Sequence, residues 1–246
     1  MFYRFTISFL RNINRFAVRQ ASRRFPGFGK VKKAGDIKSD LVKRFAPENT
    51  FVDIGCMWRV DGYFSFLAEE CGAKKVLAVD IYPESKKFEA EKDKRNSKVE
   101  FIQGDINNKE VLDKVGLCEA VFCSGVLYHM PNPLHFLSCL RKICTKTLIL
   151  ATVTVPEIKG LKNTSVFYPF LSEGQRKFWN LGPYNKTADK PYEPGNEYST
   201  WFWGFSPSCV ESMLKAAGFE IKERFLRPFQ AFYVCAASVP KIPLRH

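Results

Sequence analysis

A chain of 246 residues that is 46% apolar and 26% charged is long enough to bury a core without disulfide staples, and its composition excludes a disordered or fibrous protein. The formal charge of +13 sits largely in a leader: up to Gly35 there are nine basic residues and no acidic one, against 29 basic and 25 acidic residues in the remainder. The longest apolar stretch, residues 148–155, is far short of the ~20 residues needed to cross a bilayer.

Residues 2–19 carry helical periodicity. At ~100° per residue Phe2, Phe5, Phe9, Ile13 and Phe16 share one side, and Arg4, Arg11, Arg15 and Arg19 collect on the other. Such a basic amphipathic helix suits contact with anionic lipid or phosphate, plain packing of its phenylalanines on the body, or a cleaved organellar presequence; these three readings stay open. Arginines interrupt every candidate apolar core, which disfavours a secretory signal. Phe25-Pro-Gly-Phe-Gly29 reads as a linker, so residues 1–35 form an extension to a body at 36–246. The eight cysteines include no C-x-x-C pair, and Cys123 and Cys235 lie in apolar runs, as reduced core thiols of an intracellular protein would. With three histidines in the whole chain, no metal site is expected. The expected location is cytoplasmic, with residues 2–19 giving an option of peripheral contact at the inner face of a membrane.

From about Asp36, short β-rich runs alternate with helical segments. Strands are predicted near 50–54, 75–80, 98–102, 119–123 and 147–154, and helices near 37–45, 62–71, 83–95, 107–115 and 133–143. Gly72 and Gly116 end helices, while Pro83 and Asn132-Pro133 begin them. After a long irregular stretch, Ser206-Pro207 caps one more helix that ends at Gly218, and strands near 219–226 and 229–236 finish the chain. The alternation predicts a parallel sheet covered on both faces, whose ligand lies beyond the carboxyl ends of the strands.

The residues following the strands carry polar or glycine chemistry. They are Asp53-Ile-Gly-Cys-Met-Trp-Arg-Val-Asp-Gly62, Asp80-Ile-Tyr82, Gly104-Asp-Ile106 and Ser124-Gly-Val-Leu-Tyr-His129. In this arrangement the chain resembles the class I S-adenosylmethionine-dependent methyltransferases from about residue 48 to the C-terminus. The resemblance implies an α/β fold with a Rossmann-like, doubly wound seven-stranded sheet, mostly parallel with an antiparallel last strand. It also implies S-adenosyl-L-methionine as cofactor. By the same resemblance the turn at Asp53, Gly55, Cys56 and Gly62 approaches the methionine end, Asp80 with Ile81 takes the ribose diol, Asp105 meets the adenine amino group and Ile106 packs near its ring. Ser124 and Gly125 complete the cofactor site. A carboxylate at position 80 can accept two hydroxyl donors side by side, as a ribose requires. A nicotinamide enzyme is disfavoured because Met57 stands where the G-x-G-x-x-G pattern wants its middle glycine.

Relative to the usual D-x-G-C-G-x-G spacing, Met57-Trp-Arg-Val-Asp61 inserts three residues before Gly62. Asp61 or Arg59 could meet the methionine end, or the insertion could bulge outward. Gly125-Val-Leu-Tyr-His-Met-Pro-Asn-Pro133 is similar to the transferases that complete the wobble-uridine carboxymethoxy group of tRNA. Tyr128 matches a tyrosine that in that group helps hold the carboxylated cofactor, but Ser124 stands where the group carries a methionine. The tryptophan and lysines of the group's carboxylate grip come from an N-terminal domain without a counterpart here, so the ordinary cofactor is expected. The Asp-Ile-Gly-Cys-Met-Trp run also resembles methyltransferases of glycan or natural-product assembly.

Methyl transfer to a hydroxyl requires positioning behind the methyl carbon and a base for the departing proton. His129, with Tyr128 beside it, is the candidate at the mouth of the fourth strand; a purely turn-ordering role for His129 is the alternative. Residues 156–205 form an insertion rich in aromatics that suits a lid or acceptor wall, or equally a small second core or dimer face. Its acidic residues Glu157, Glu173, Asp189, Glu193 and Glu197 disfavour a phosphate track. The expected acceptor is therefore a hydroxyl of a glycan, glycolipid or specialised metabolite. A tRNA-modifying enzyme is the runner-up, and a catalytically silent, membrane-associated or scaffolding module of the same fold is the rival outside enzymology.

Overall fold

A computed structural model describes residues 34–172, 174–176, 201–227 and 229–239. The leader helix expected at 2–19 and the middle of the aromatic insertion, including Phe178, Trp179, Tyr184, Tyr192 and Tyr198, lie outside these residues.

In chain order the body runs α1 (Ala34–Phe45), β1 (Thr50–Ile54), α2 (Tyr63–Glu70), β2 (Lys75–Asp80), α3 (Lys86–Arg95), β3 (Glu100–Gln103), α4 (Lys109–Val115) and β4 (Cys118–Ser124). A single 3-10 turn at Leu127–His129 leads into α5 (Pro133–Ile143) and β5 (Cys144–Val153). The short strands β6 (Ser165–Phe167) and β7 (Trp203–Phe205), then α6 (Pro207–Ala216), β8 (Phe219–Arg227) and β9 (Gln230–Ala237), complete it. Among the described residues seven strands form one sheet in the order β3-β2-β1-β4-β5-β9-β8, and β6 pairs with β7 separately. The pairs from β3 to β5 are parallel, whereas β9 runs antiparallel to both neighbours. This is the Rossmann-like sheet, mostly parallel with an antiparallel last strand, that the resemblance implies; the alternation alone predicts its parallel part. Chain order reverses between β1 and β4, which puts a crevice at their carboxyl ends.

Alternate residues of the central strands feed two cores, as the two-residue period of a strand requires. Val52, Ile54, Leu77, Val79, Val121 and Cys123 pack under α5 and α6, against Phe136, Leu140 and Leu214. Phe51, Ala78, Phe122 and Ile149 face the other way, onto Leu41 and Val42 of α1 and Phe64 and Phe66 of α2. Six cysteines are buried and Cys71 and Cys209 are half-buried, all as free thiols.

Helix starts follow local capping chemistry. The Asn132 side chain accepts a hydrogen bond from His135 N–H ahead of α5, and Ser206 Oγ accepts one from Cys209 N–H ahead of α6, each with proline next in the chain. The helix expected to begin at Pro83 starts instead at Lys86, because Ser85 Oγ accepts the Phe88 N–H at 3.1 Å and fixes the boundary there.

Candidate active site

The carboxyl ends of β1 to β5 and the amino end of antiparallel β9 open on one cavity of about 370 Å³, within the ~300–1,000 Å³ common for small-molecule sites. Ten of the expected site residues line it: Asp53, Gly55, Asp80, Ile81, Asp105, Ile106, Ser124, Gly125, Tyr128 and His129. Cys56 and Gly62 do not. Cys56 is buried in the α1/α2 core, and Gly62 caps α2 at φ +74°, where a Cβ would stand 2.3 Å from the Phe88 ring. Gly62 is thus required by packing, while Gly55 is required at the crevice itself. At φ +82° its absent Cβ leaves room for Val126, which would otherwise lie 2.4 Å away.

Asp80 is held by its neighbours' backbone. Oδ2 accepts Met57 N–H at 2.7 Å and Oδ1 accepts Tyr82 N–H at 3.0 Å. Burial raises its pKa and these N–H groups oppose the rise. Since each carboxylate oxygen can accept two hydrogen bonds, the side chain retains capacity on both for a vicinal diol. Asp105 lies just past β3, in the connection to α4, with Oδ1 accepting both the backbone and the side-chain N–H of Asn107 at 2.8 Å, and the buried Ile106 follows it in the chain.

The inserted stretch folds into a closed turn rather than a free bulge. Asp61 N–H and Gly62 N–H return to the carbonyls of Met57 and Cys56 at 3.1 and 2.8 Å, and Arg59 and Asp61 take positive φ. Asp61 points to the start of α3, accepting from Ser85 Oγ at 2.7 Å and Lys87 Nζ at 3.1 Å, contacts that lower its pKa. Arg59 lines the cavity, and its guanidinium lies 5.8 Å from the Trp58 ring. Trp58 and Tyr82, 59% and 37% exposed, stack at 6.1 Å on the rim.

Beyond β4 the backbone turns through Leu127–His129. The Tyr128 ring packs 4.3 Å from Trp201 and its carbonyl accepts Phe202 N–H at 3.0 Å, which ties the far end of the aromatic insertion to the site. Trp203 Nε1 donates to the Pro131 carbonyl at 3.2 Å, a second tie. Burial pushes the Tyr128 hydroxyl up to about 12, so it is a proton donor and not a base at neutral pH. The His129 ring lies 4.3 Å from that of Tyr128, tilted by 44°.

Two contributions escape the strand-end motifs. Thr152 and Val153 of β5 with Gln230 and Phe232 of β9 line the far end of the cavity; only the antiparallel direction of β9 brings its first residues to the crest. Lys38 reaches in from α1, its Nζ 5.7 Å from the Phe64 ring, near buried Asp53. Asp53 accepts Ser65 Oγ at 2.8 Å, and burial above all, with the Asp80 charge adding, pushes its pKa up to about 7. Among the described residues no group of three or more His, Cys, Asp or Glu side chains is arranged to hold a metal.

The sequence matches the model of the FtsJ-like methyltransferases over residues 33–168, more than half of the chain. The protein belongs to that family. It is therefore an S-adenosylmethionine-dependent methyltransferase, and the cavity fits that cofactor, with the twin acceptors of Asp80 for a diol and the Gly55 opening beside them. No curated protein matches the methyltransferase's sequence. Among solved structures, the N-terminal domain of EvdMO1, crystallised in the presence of SAH and D-fucose, is similar with TM-score 0.57 and 14% identity, over 92% of this chain and 97% of that one. The PH0226 protein of Pyrococcus horikoshii OT3 (TM-score 0.55, 20% identity, 89% of this chain and 99% of that one) shares the fold. So does an S-adenosylmethionine-dependent methyltransferase of Mesorhizobium loti (0.53, 14%, 83% and 98%).

Proposed function

We propose that the methyltransferase acts on a neutral hydroxyl of a glycan, glycolipid or specialised metabolite. One observation carries this reading. Among the described residues, those lining the cavity from Ser124 onward, on β4, the 127–130 turn, α5, β5 and β9, include no Lys, Arg, Asp or Glu; the acceptor would meet Thr152, Val153, Gln230, Phe232, Tyr128 and His129. An anionic backbone would find no counter-charge on those elements, the cavity's cations Lys38 and Arg59 coming from α1 and the β1–α2 turn. The sugar present with EvdMO1, a protein of like fold, agrees with a ring-shaped, hydroxyl-bearing acceptor.

The cofactor supplies a methyl group on a sulfonium, an electrophile that needs no metal. In the reading proposed here, Asp80 and Ile81 hold the ribose, and Asp105 and Ile106 the adenine. Ser124 and Gly125 support the turn at the reacting end. Tyr128, protonated at neutral pH, would donate to the acceptor oxygen and orient it, and His129 would take the hydroxyl proton as the new O–C bond forms and the donor's S–C bond breaks, its electron pair leaving with the thioether sulfur of S-adenosylhomocysteine. The Tyr128–Trp201 wall excludes water. Residues 2–19 would place the enzyme at an anionic surface, where lipid-linked acceptors are met.

Calorimetric titration tests the donor half. Wild type should bind S-adenosylhomocysteine and S-adenosylmethionine, and Asp80→Ala should lose about 10- to 100-fold in affinity, the scale of two hydrogen bonds to a charged group. Tight binding of the carboxylated analogue alone would overturn the cofactor, and no binding at all would favour a silent module. For the acceptor half, radiolabelled methyl should appear in a nuclease-resistant fraction containing glycan, glycolipid or small metabolite; label confined to RNA would overturn the hydroxyl-metabolite reading. Flotation with anionic liposomes should be lost when residues 1–30 are removed, and unchanged flotation would sink the surface role of the leader.

A further inference from the structure

The connection from β5 to β6 carries a turn, Ile158-Lys-Gly-Leu-Lys162, none of whose residues lines the cavity. Leu161 N–H closes on the Ile158 carbonyl at 2.9 Å, and Gly160 takes φ +86°, a conformation that glycine adopts without strain. Ile158 and Leu161 are 40% and 58% exposed, and neither Lys159 nor Lys162 has an ion-pair partner among the described residues. Both legs of the turn are fastened to the start of α6. Glu157 accepts Ser208 N–H at 3.0 Å and Ser208 Oγ at 2.6 Å, Asn163 N–H donates to the same Oγ at 2.7 Å, and the Asn163 side-chain oxygen accepts Ser212 Oγ at 2.9 Å. Exposure of the aliphatic pair is therefore a property of the fold, not of a loop free to turn back onto the core.

Its place on the molecule says what covers it. The turn follows the carboxyl end of β5, where Val153 lines the cavity, so it stands at the crest beside the cavity mouth. Of the large apolar side chains exposed among the described residues, all but Leu117 and Val239 lie at or near that end; these two stand at the amino ends of the parallel strands. The basic leader joins the body at the crest too, because α1 leads through residues 46–49 into the amino end of β1 and therefore starts at the opposite end. An apolar tip flanked by unpaired ammonium groups suits a bilayer interface: the aliphatic groups enter the acyl boundary and the lysines stay level with the phosphates. A nucleic acid would use the cations and leave the aliphatic tips in water. We infer that the crest docks on an anionic membrane through the Ile158–Lys162 turn, so that the cavity mouth faces the lipid and acceptors enter from it. The inference rests on the acceptor class proposed above and goes beyond the leader's role, since a contact in the body fixes which end of the molecule meets the surface.

Flotation of the full chain on phosphatidylcholine vesicles, with and without phosphatidylglycerol, tests the docking face. Wild type should float with the phosphatidylglycerol vesicles. Ile158→Ser combined with Leu161→Ser should weaken that partition by about 10-fold, the scale of two partly inserted aliphatic side chains. Lys159→Glu combined with Lys162→Glu should weaken it by at least about 10-fold and reduce its salt sensitivity. S-adenosylhomocysteine affinity should stay within about twofold in both variants, which also shows that they fold. Orientation is read with brominated phospholipid: Leu161→Trp should add a fluorescence that the lipid quenches, and Leu117→Trp, at the far end of the molecule, one that it does not. Flotation unchanged by either pair of substitutions, or equal quenching at positions 161 and 117, would overturn the docking face and leave the proposed function and the leader's role standing. Self-association that is abolished by Ile158→Ser with Leu161→Ser, at unchanged flotation, would assign the turn to a second copy of the chain and overturn the bilayer. Wild type that floats with neither vesicle would overturn both membrane contacts, whereas methyl label confined to RNA would sink the acceptor class and leave the flotation result intact.

Discussion

Two side chains at the crest carry their consequences individually. Asp53 is buried and hydrogen-bonded by Ser65, with a pKa near 7, above the ordinary carboxylate value. Between about pH 4 and pH 7 the folded state keeps a proton that the unfolded chain has released, so this group's contribution to stability declines as pH rises through that window. Asp53→Asn should raise the unfolding free energy at pH 8 by about 1–3 kcal/mol and change it little at pH 4, measured by urea denaturation without ligand. The same variant should weaken S-adenosylhomocysteine binding, and a more stable protein with undiminished affinity would count against a site role for Asp53. His129→Ala belongs to the chemical step. With S-adenosylhomocysteine affinity retained within about twofold, kcat should fall by about 10²- to 10⁴-fold if the imidazole removes the hydroxyl proton; a loss confined to KM would reduce it to a positioning residue.

At the scale of elements, the β1–α2 connection shows what spacing can and cannot tell. Its glycines were visible as motif letters, but Gly55 and Gly62 differ in role for reasons of packing: one admits Val126 at the crevice and the other admits Phe88 from α3. Gly62→Ala should therefore destabilise the fold by about 2–4 kcal/mol, combining a left-handed backbone with a buried clash, and should alter cofactor affinity only in proportion to unfolding. Equilibrium unfolding and calorimetry on the same sample separate these outcomes. Helices and strands with strong periodicity, such as Pro133–Ile143 and Phe219–Arg227, were legible because core and cap signals agree there. Less legible were the α3 boundary, decided by one hydroxyl at Ser85, and the direction of Asp61, decided by Ser85 and Lys87, which lie 24 and 26 residues further along the chain.

Across the whole molecule, the strand-end pattern pointed to residues that line the cavity because Asp53, Asp80, Asp105 and Ser124 each stand within two residues of the carboxyl end of a parallel strand. Lys38, Gln230 and Phe232 had no such signal; α1 and β9 reach the crevice only through tertiary packing and an antiparallel turn. In the proposed reading their positions also separate two tasks. Val153→Phe, at the far end of the cavity, should lower kcat/KM for the acceptor by about 10- to 100-fold while S-adenosylhomocysteine affinity stays within about twofold; a parallel loss of both would mean one undivided site. The final hairpin, β8 and β9, is a contiguous stretch whose first β9 residues touch the crevice and whose remainder only completes the sheet edge. On the acceptor wall proposed above, evolution or a designer could reshape part of what this scaffold modifies by exchanging that one ribbon, while the residues assigned to the methyl source stay encoded upstream and unedited.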